Sequence, residues 1–180
     1  MKRVLLAAVL GGLFIILWEL FSWNVIPWYK EAIRPLANEK FVSWIVTENS
    51  DDRGIYVLPY PGSKVEKDEQ VFIFASISPK GLNMSAPLYY IYASVTQFAI
   101  AGVMGWLLTM TRPQNFMRRV WFLLIFNVIA GCAVHVTNAI WWGVSYAYLT
   151  VAMSDLIISG FMQALIIASI VKPKEELTNV

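Results

Sequence analysis

Residues Ala86 to Met110 read APLYYIYASVTQFAIAGVMGWLLTM, twenty-five positions without a single Lys, Arg, Asp, Glu or His. A helix needs about 20 predominantly apolar residues to cross a hydrocarbon core of about 30 Å, so this run predicts a membrane span. Working outward from it, three more runs qualify. The first extends from about Val4 to Ile26 and is interrupted by Glu19; the others extend from about Val120 to Trp142 and from about Ala147 to Val171. Apart from Cys132 and tyrosines, the ionisable side chains of that last pair are His135 and Asp155.

The rest of the chain agrees with a lipid solvent. Of 180 residues, 58% are hydrophobic and 14% charged, against about 45–50% and about 25% in soluble domains. The net charge of +2 is too small for a nucleic-acid footprint, so no nucleic-acid partner is expected. One cysteine excludes an internal disulfide framework and a cysteine-built zinc site, and Cys132 reads as a small buried apolar side chain. Met1-Lys2-Arg3 before an apolar run also fits a secretory signal. Bulky Trp18, Phe21 and Trp23 stand where a small-residue cleavage site belongs, which favours an uncleaved anchor.

Positive charge in short loops stays on the cytoplasmic side. Lys2 and Arg3, then Arg112, Arg118 and Arg119, then Lys172 and Lys174 all fall on one side, which makes both termini cytoplasmic and residues 172–180 a cytoplasmic tail. Trp23, Trp28, Tyr89, Tyr90, Trp141, Trp142, Tyr146 and Tyr148 gather at the other ends, where amphipathic rings prefer the headgroup level. The three arginines around Pro113 set topology, and they also suit anionic lipid headgroups.

The long outer segment, 27–85, carries its own elements. Asn38 can cap a helix from Glu39, with Phe41, Trp44 and Ile45 at i, i+3 and i+4 on one face. Gly54–Pro59 and Val71–Ile77 read as two strands separated by a turn-rich, charged stretch through Lys64 to Glu69. So small an insertion cannot bury much core alone, and Trp28 and Trp44 are the side chains expected to rest it on the membrane, on the helix ends or on a partner.

Ionisable side chains at membrane depth generally face a bundle interior. Glu19, His135 and Asp155 each lie seven residues from an outer helix end, roughly 10 Å deep at 1.5 Å per residue. The short connection near Ser145 makes the last two helices antiparallel neighbours, and positions 135 and 155 are equidistant from it. Asn138 shares the outer turn with His135, while Asn127, Gln97 and Gln163 extend the polar set inward. One imidazole with two carboxylates suits a divalent metal, a haem ligand or a proton relay; an interhelical polar contact that merely fixes packing is the plainer reading of the pair. There is no HExxH, second His or CxxC to make a cofactor specific, so the cofactor stays unknown and none is required.

Small residues recur at four-residue spacing: Ala7/Gly11, Ala8/Gly12, Ala101/Gly105, and Gly160/Ala164/Ala168. Such faces let helices approach closely, within one chain or between copies.

Trp18-x4-Trp23 leading to Pro27-Trp28, Gly54-Ile55-Tyr56-Val57-Leu58-Pro59 and Phe72-x-Phe74-Ala75 resemble an uncharacterised group of bacterial inner-membrane proteins with one anchor helix, a small outer domain and three further spans. The resemblance implies that architecture and a bacterial inner membrane, and supplies no functional residues. The expected fold is a membrane all-α, four-helix bundle with a small α+β periplasmic insertion between helices one and two. The expected function is that of a non-enzymatic membrane protein, self-associating or a subunit beside a membrane-protein partner, acting through its periplasmic unit and aromatic outer rim. The alternative is a metal, haem or proton-handling site at His135, Asp155 and Glu19. A third possibility is an oligomeric channel lined by Ser94, Thr96 and Gln97.

Overall fold

A computed structural model describes residues 1–62, 71–112 and 115–172. The charged run Lys64 to Glu69, Pro113 and the tail from Pro173 lie outside these residues. The chain is mostly helical, in the order α1 (Lys2–Asn24), α2 (Trp28–Ala32), α3 (Glu39–Glu48), strands β1 (Gly54–Leu58) and β2 (Ile73–Ile77), α4 (Pro87–Thr109), α5 (Phe116–Gly131), α6 (Thr137–Trp142) and α7 (Tyr146–Ile170). Between α5 and α6 the helix continues through a π-helical stretch, Cys132–Val136, so Phe116–Trp142 is one run of 27 residues. Among the described residues, this run, α1, α4 and α7 are the four helices long and apolar enough to cross a membrane. Their outward faces carry Leu5, Leu17, Ile125 and Ile129, all exposed, a surface that lipid solvates and water does not.

Local chemistry sets the ends. Pro87 starts α4 at a position where a missing N–H costs nothing. Asn115 and Ser145 cap α5 and α7 by accepting the amides of Arg118 and Tyr148 at 2.9 and 3.2 Å. Gly143, at φ +65°, supplies the left-handed residue that closes α6. Only 143–145 therefore separate α6 from α7, which forces them antiparallel.

The chain divides into two compact units, Arg34–Ser85 and a helical unit made of the remainder. The insertion expected from Pro27 thus begins at Arg34. Residues 27–33, with α2, belong to the helical unit because Tyr29 is buried there. In the smaller unit, Asn38 caps α3 by accepting the Phe41 amide at 3.1 Å. Strands β1 and β2 pair antiparallel from Gly54↔Ile77 to Leu58↔Ile73.

In the helical unit α1 lies against both α4 and α7, α5 packs along α7, and α4 barely touches α5. An apolar core of Ala7, Ala101, Met104, Leu108, Val120, Leu123, Ala164, Ile167, Ala168 and Val171 fills the half nearest the start of α1 and the end of α7. The small-residue faces make this possible. A Cβ at Gly12 would stand 2.9 Å from Phe98 Cα, and one at Gly11 would stand 3.3 Å from Ala101 Cβ and 3.2 Å from Ile167 Cγ1. Ala7, Ala8, Gly11, Gly12, Ala101, Gly105, Gly160, Ala164 and Ala168 are all buried within the single chain. These small-residue positions on α1, α4 and α7 thus pack within the chain.

The register of α5 against α7 is legible from three contacts. Gly131 packs on Leu156, Asn127 on Gly160, and Arg119 donates to the Ala168 carbonyl at 3.1 Å. Each step down α5 is matched by an equal step along α7, which brings His135, within the π stretch, near the level of Ala152. Asp155 lies about one turn further along. The equidistance of 135 and 155 from Ser145 therefore misplaced the pairing. The physical reason is that the connection is centred on Val144, and the π stretch adds a residue on the α5 side.

Candidate functional site

Beyond the apolar core the bundle opens into a cavity of about 230 Å³. It is lined by all three ionisable side chains singled out above, Glu19 of α1, His135 of the π stretch and Asp155 of α7, and by Gln97, Asn127 and Gln163. Four spanning segments contribute.

Helical spacing on α1 explains how two carboxylates reach one space from different sides. Trp18 and Ser22, four residues apart, share the face toward α7 and both donate to Asp155 Oδ1, at 2.5 and 3.0 Å. Glu19 is turned about 100° from Trp18 and faces α4, where Gln97 Nε2 donates to its Oε1 at 2.6 Å. Tyr29 of α2 donates to Asp155 Oδ2 at 2.9 Å. Asp155 thus accepts three hydrogen bonds, which replace the water its carboxyl group loses on entering the span. Ser22, fully buried, also accepts from Trp28 Nε1 at 3.1 Å, and the Trp23 ring stacks on Tyr29 at 4.0 Å between centroids. Trp28, expected to seat the insertion, instead closes this cluster. Burial first, then the hydrogen bond and the charge of Asp155, push the Tyr29 phenol well above the ordinary tyrosine range.

His135 enters the cavity through the backbone. In a regular helix a residue four positions on advances by about 40° around the axis, so Asn127, Gly131 and His135 would drift off one face. The π stretch widens the turn by about one residue and brings His135 back into line with Asn127 and Gly131. Its imidazole makes no hydrogen bond among the described residues, and neither does the buried Asn127 Nδ2. Asn127 is held by Gly160, where a Cβ would stand 2.8 Å from that nitrogen. Gln163 is buried deeper and donates to the Gly11 carbonyl at 3.4 Å.

Several expected site residues lie elsewhere. Asn138 is exposed and does not line the cavity. Cys132 is exposed, one residue and about 100° of helical turn from the buried Gly131. Arg112 and Arg118 are exposed as headgroup ligands require. Arg119 is buried, its guanidinium donating to Ala168 in the last turn of α7, where helix carbonyls lack partners and positive charge is favoured. Of the proposed channel lining, Gln97 faces Glu19, while the Thr96 hydroxyl donates to the Tyr92 carbonyl of its own helix. Glu19, His135 and Asp155 share the cavity without converging as ligands: among the described residues, no group of three or more His, Cys, Asp or Glu side chains is placed to hold a metal ion.

The sequence reading missed Trp18, Ser22 and Tyr29 as the partners of Asp155. Tryptophan and tyrosine near helix ends ordinarily mark the membrane interface, and the one sequence signal of a polar face is the four-residue spacing of Trp18 and Ser22, with Trp18 next to Glu19.

No family model, curated protein or solved structure matches the chain.

Proposed function

We propose that the chain is a non-enzymatic protein of the bacterial inner membrane, with both termini cytoplasmic and the Arg34–Ser85 unit periplasmic, whose working part is a one-ended proton-handling cavity. The observation that carries this reading is that Glu19, His135 and Asp155, from three different segments, line a single cavity. A polar space of about 230 Å³ accommodates several waters at about 30 Å³ each. Water at that depth lets protons exchange between an imidazole and two carboxylates, and imidazole is the side chain best suited to take and return a proton near neutral pH. The apolar core beyond the cavity argues for uptake and release at one end over conduction across the bundle. The orientation is supported by Lys2, Arg3 and Lys172, which line one hollow at the core end, the side where positive charge is retained.

The test is infrared difference spectroscopy of the purified protein between about pH 5 and about pH 8, the range in which imidazole changes charge. Wild type should show carboxyl and imidazole bands that change with pH, diminished in Glu19→Gln, altered in His135→Gln, and perturbed in Asp155→Asn through the cavity the three residues share. Proteoliposomes should show no proton current. Identical spectra in all four proteins would overturn the reading.

A second reading, that of a subunit acting through its periplasmic unit, is favoured by α3. Phe41, Trp44 and Ile45 form one face of that helix, all three are exposed, and no residue of α3 is buried. A photo-crosslinking residue at position 44 should capture a protein in living cells if this reading holds, and only lipid if it does not.

A further inference from the structure

At the core end of the bundle, two hollows of different character adjoin. The first, about 760 Å³, is a groove between α1 and α4 that exists because small residues line it: Ala8 on α1, Ala99 and Gly102 on α4. A Cβ at Gly102 would stand 3.4 Å from Ala8 Cβ, so the floor is closed by contact between the helices, and Trp106 forms a wall. The second, about 440 Å³, is lined by Lys2, Arg3 and Lys172 and, among the described residues, by no acidic one. Met1, Val4 and Thr109 line both, so the apolar groove runs into the basic hollow. Lys2 opens α1 and Lys172 follows α7, at the level where a helix leaves the hydrocarbon.

We infer that this end of the bundle binds one anionic glycerophospholipid, its phosphate against Lys2, Arg3 and Lys172 and an acyl chain in the groove between α1 and α4. The order of surfaces along the helix axis, apolar then cationic, is the order of tail and phosphate in such a lipid. Basic pockets between spanning helices on the side that retains positive charge have this chemistry. A zwitterionic lipid would place its own ammonium group among three cations. The site shares no residue with the polar cavity and stands independently of proton handling.

Native mass spectrometry of the detergent-purified protein, offered equal amounts of phosphatidylglycerol and phosphatidylcholine, tests it. Wild type should retain phosphatidylglycerol over phosphatidylcholine by about tenfold, since each Lys or Arg near an anionic lipid contributes favourably. The combined Lys2→Gln, Arg3→Gln, Lys172→Gln variant, altered only at exposed positions, should retain both equally. Ala99→Phe, which fills the groove from an exposed position, should reduce adducts of both lipids. Equal retention by wild type, an unchanged ratio in the charge variant, or unchanged adducts in Ala99→Phe would each overturn the assignment.

Discussion

Tyr29, on the short helix after the first span, donates its phenol to Asp155 Oδ2 at 2.9 Å, joining residues 126 positions apart. With Trp18 and Ser22 on the other oxygen, one carboxylate ties α1, α2 and α7 together. Tyr29→Phe should lower stability by about 1.5–3 kcal/mol, the range for a hydrogen bond to a charged group. Asp155→Ala should cost more, because it strands three donors at once, each worth about 1–3 kcal/mol when left unsatisfied. In the Asp155→Ala background, Tyr29→Phe should cost little further. Chemical unfolding of the four proteins in detergent measures this, and additive losses would show that Tyr29 and Asp155 act separately.

Alkaline titration follows from the same contact. The folded Tyr29 phenol is held above its ordinary value of about 10, so between that value and the folded one the unfolded chain has lost a proton that the folded chain keeps. The stabilisation is therefore complete below about pH 10 and declines as pH rises beyond it. Wild type should lose stability above about pH 10 more steeply than Tyr29→Phe. Phenolate absorbance in that range should be nearly the same in the two proteins, since Tyr29 is not yet ionising; a clear deficit in the variant would contradict the buried, donating phenol.

How much of this was legible depended on what each residue's signal reports. Uninterrupted apolarity over Ala86 to Met110 reports a solvent, and the four long helices follow from it. Asn38 before Glu39 reports a local backbone need, met by its bond to the Phe41 amide. The gathering of Glu19, His135 and Asp155 was legible as shared depth, because charges in lipid have few places to go. What sequence could not carry was rotation about each helix axis. Nothing in the composition of Cys132–Val136 announces a π stretch, yet that stretch brings His135 to the cavity. Arg119 beside Arg118 reads as one basic pair, although a 100° turn of the helix separates a buried cap on α7 from an exposed cation.

Glycines in the bundle should differ sharply in their tolerance of a methyl group. At Gly12 the added Cβ would meet the backbone of Phe98 at 2.9 Å, so α1 and α4 must move apart. At Gly105 the nearest atom is 3.6 Å away, an ordinary contact. Gly12→Ala should therefore destabilise by about 1–3 kcal/mol, as overpacking does. Gly105→Ala should be neutral or stabilise by up to about 1 kcal/mol, through the lower backbone entropy of alanine in a helix. Thermal unfolding of the two variants beside wild type decides, and equal effects would mean that α1 and α4 are not in this close contact.

Whether these faces pair within one chain or between two can be read covalently. A Cβ at Gly105 would lie 3.7 Å from Ala7 Cβ, inside the range of about 3.5–4.5 Å that a disulfide spans. In a Cys132→Ser background, which removes the one native thiol, Ala7→Cys with Gly105→Cys should oxidise to an intrachain bridge, and the protein should run as a monomer on non-reducing gels. Ladders of dimers and higher species would instead mean that the Ala7 and Gly105 faces are available to neighbouring copies. Because both positions are buried and face each other in the single chain, a bridge between copies would require α1 and α4 to separate first, opening the apolar core that contains Ala7, Ala101 and Leu108. The cost of exposing such a core is large against the few kcal/mol that hold a small domain together, and the intrachain bridge is the expected product.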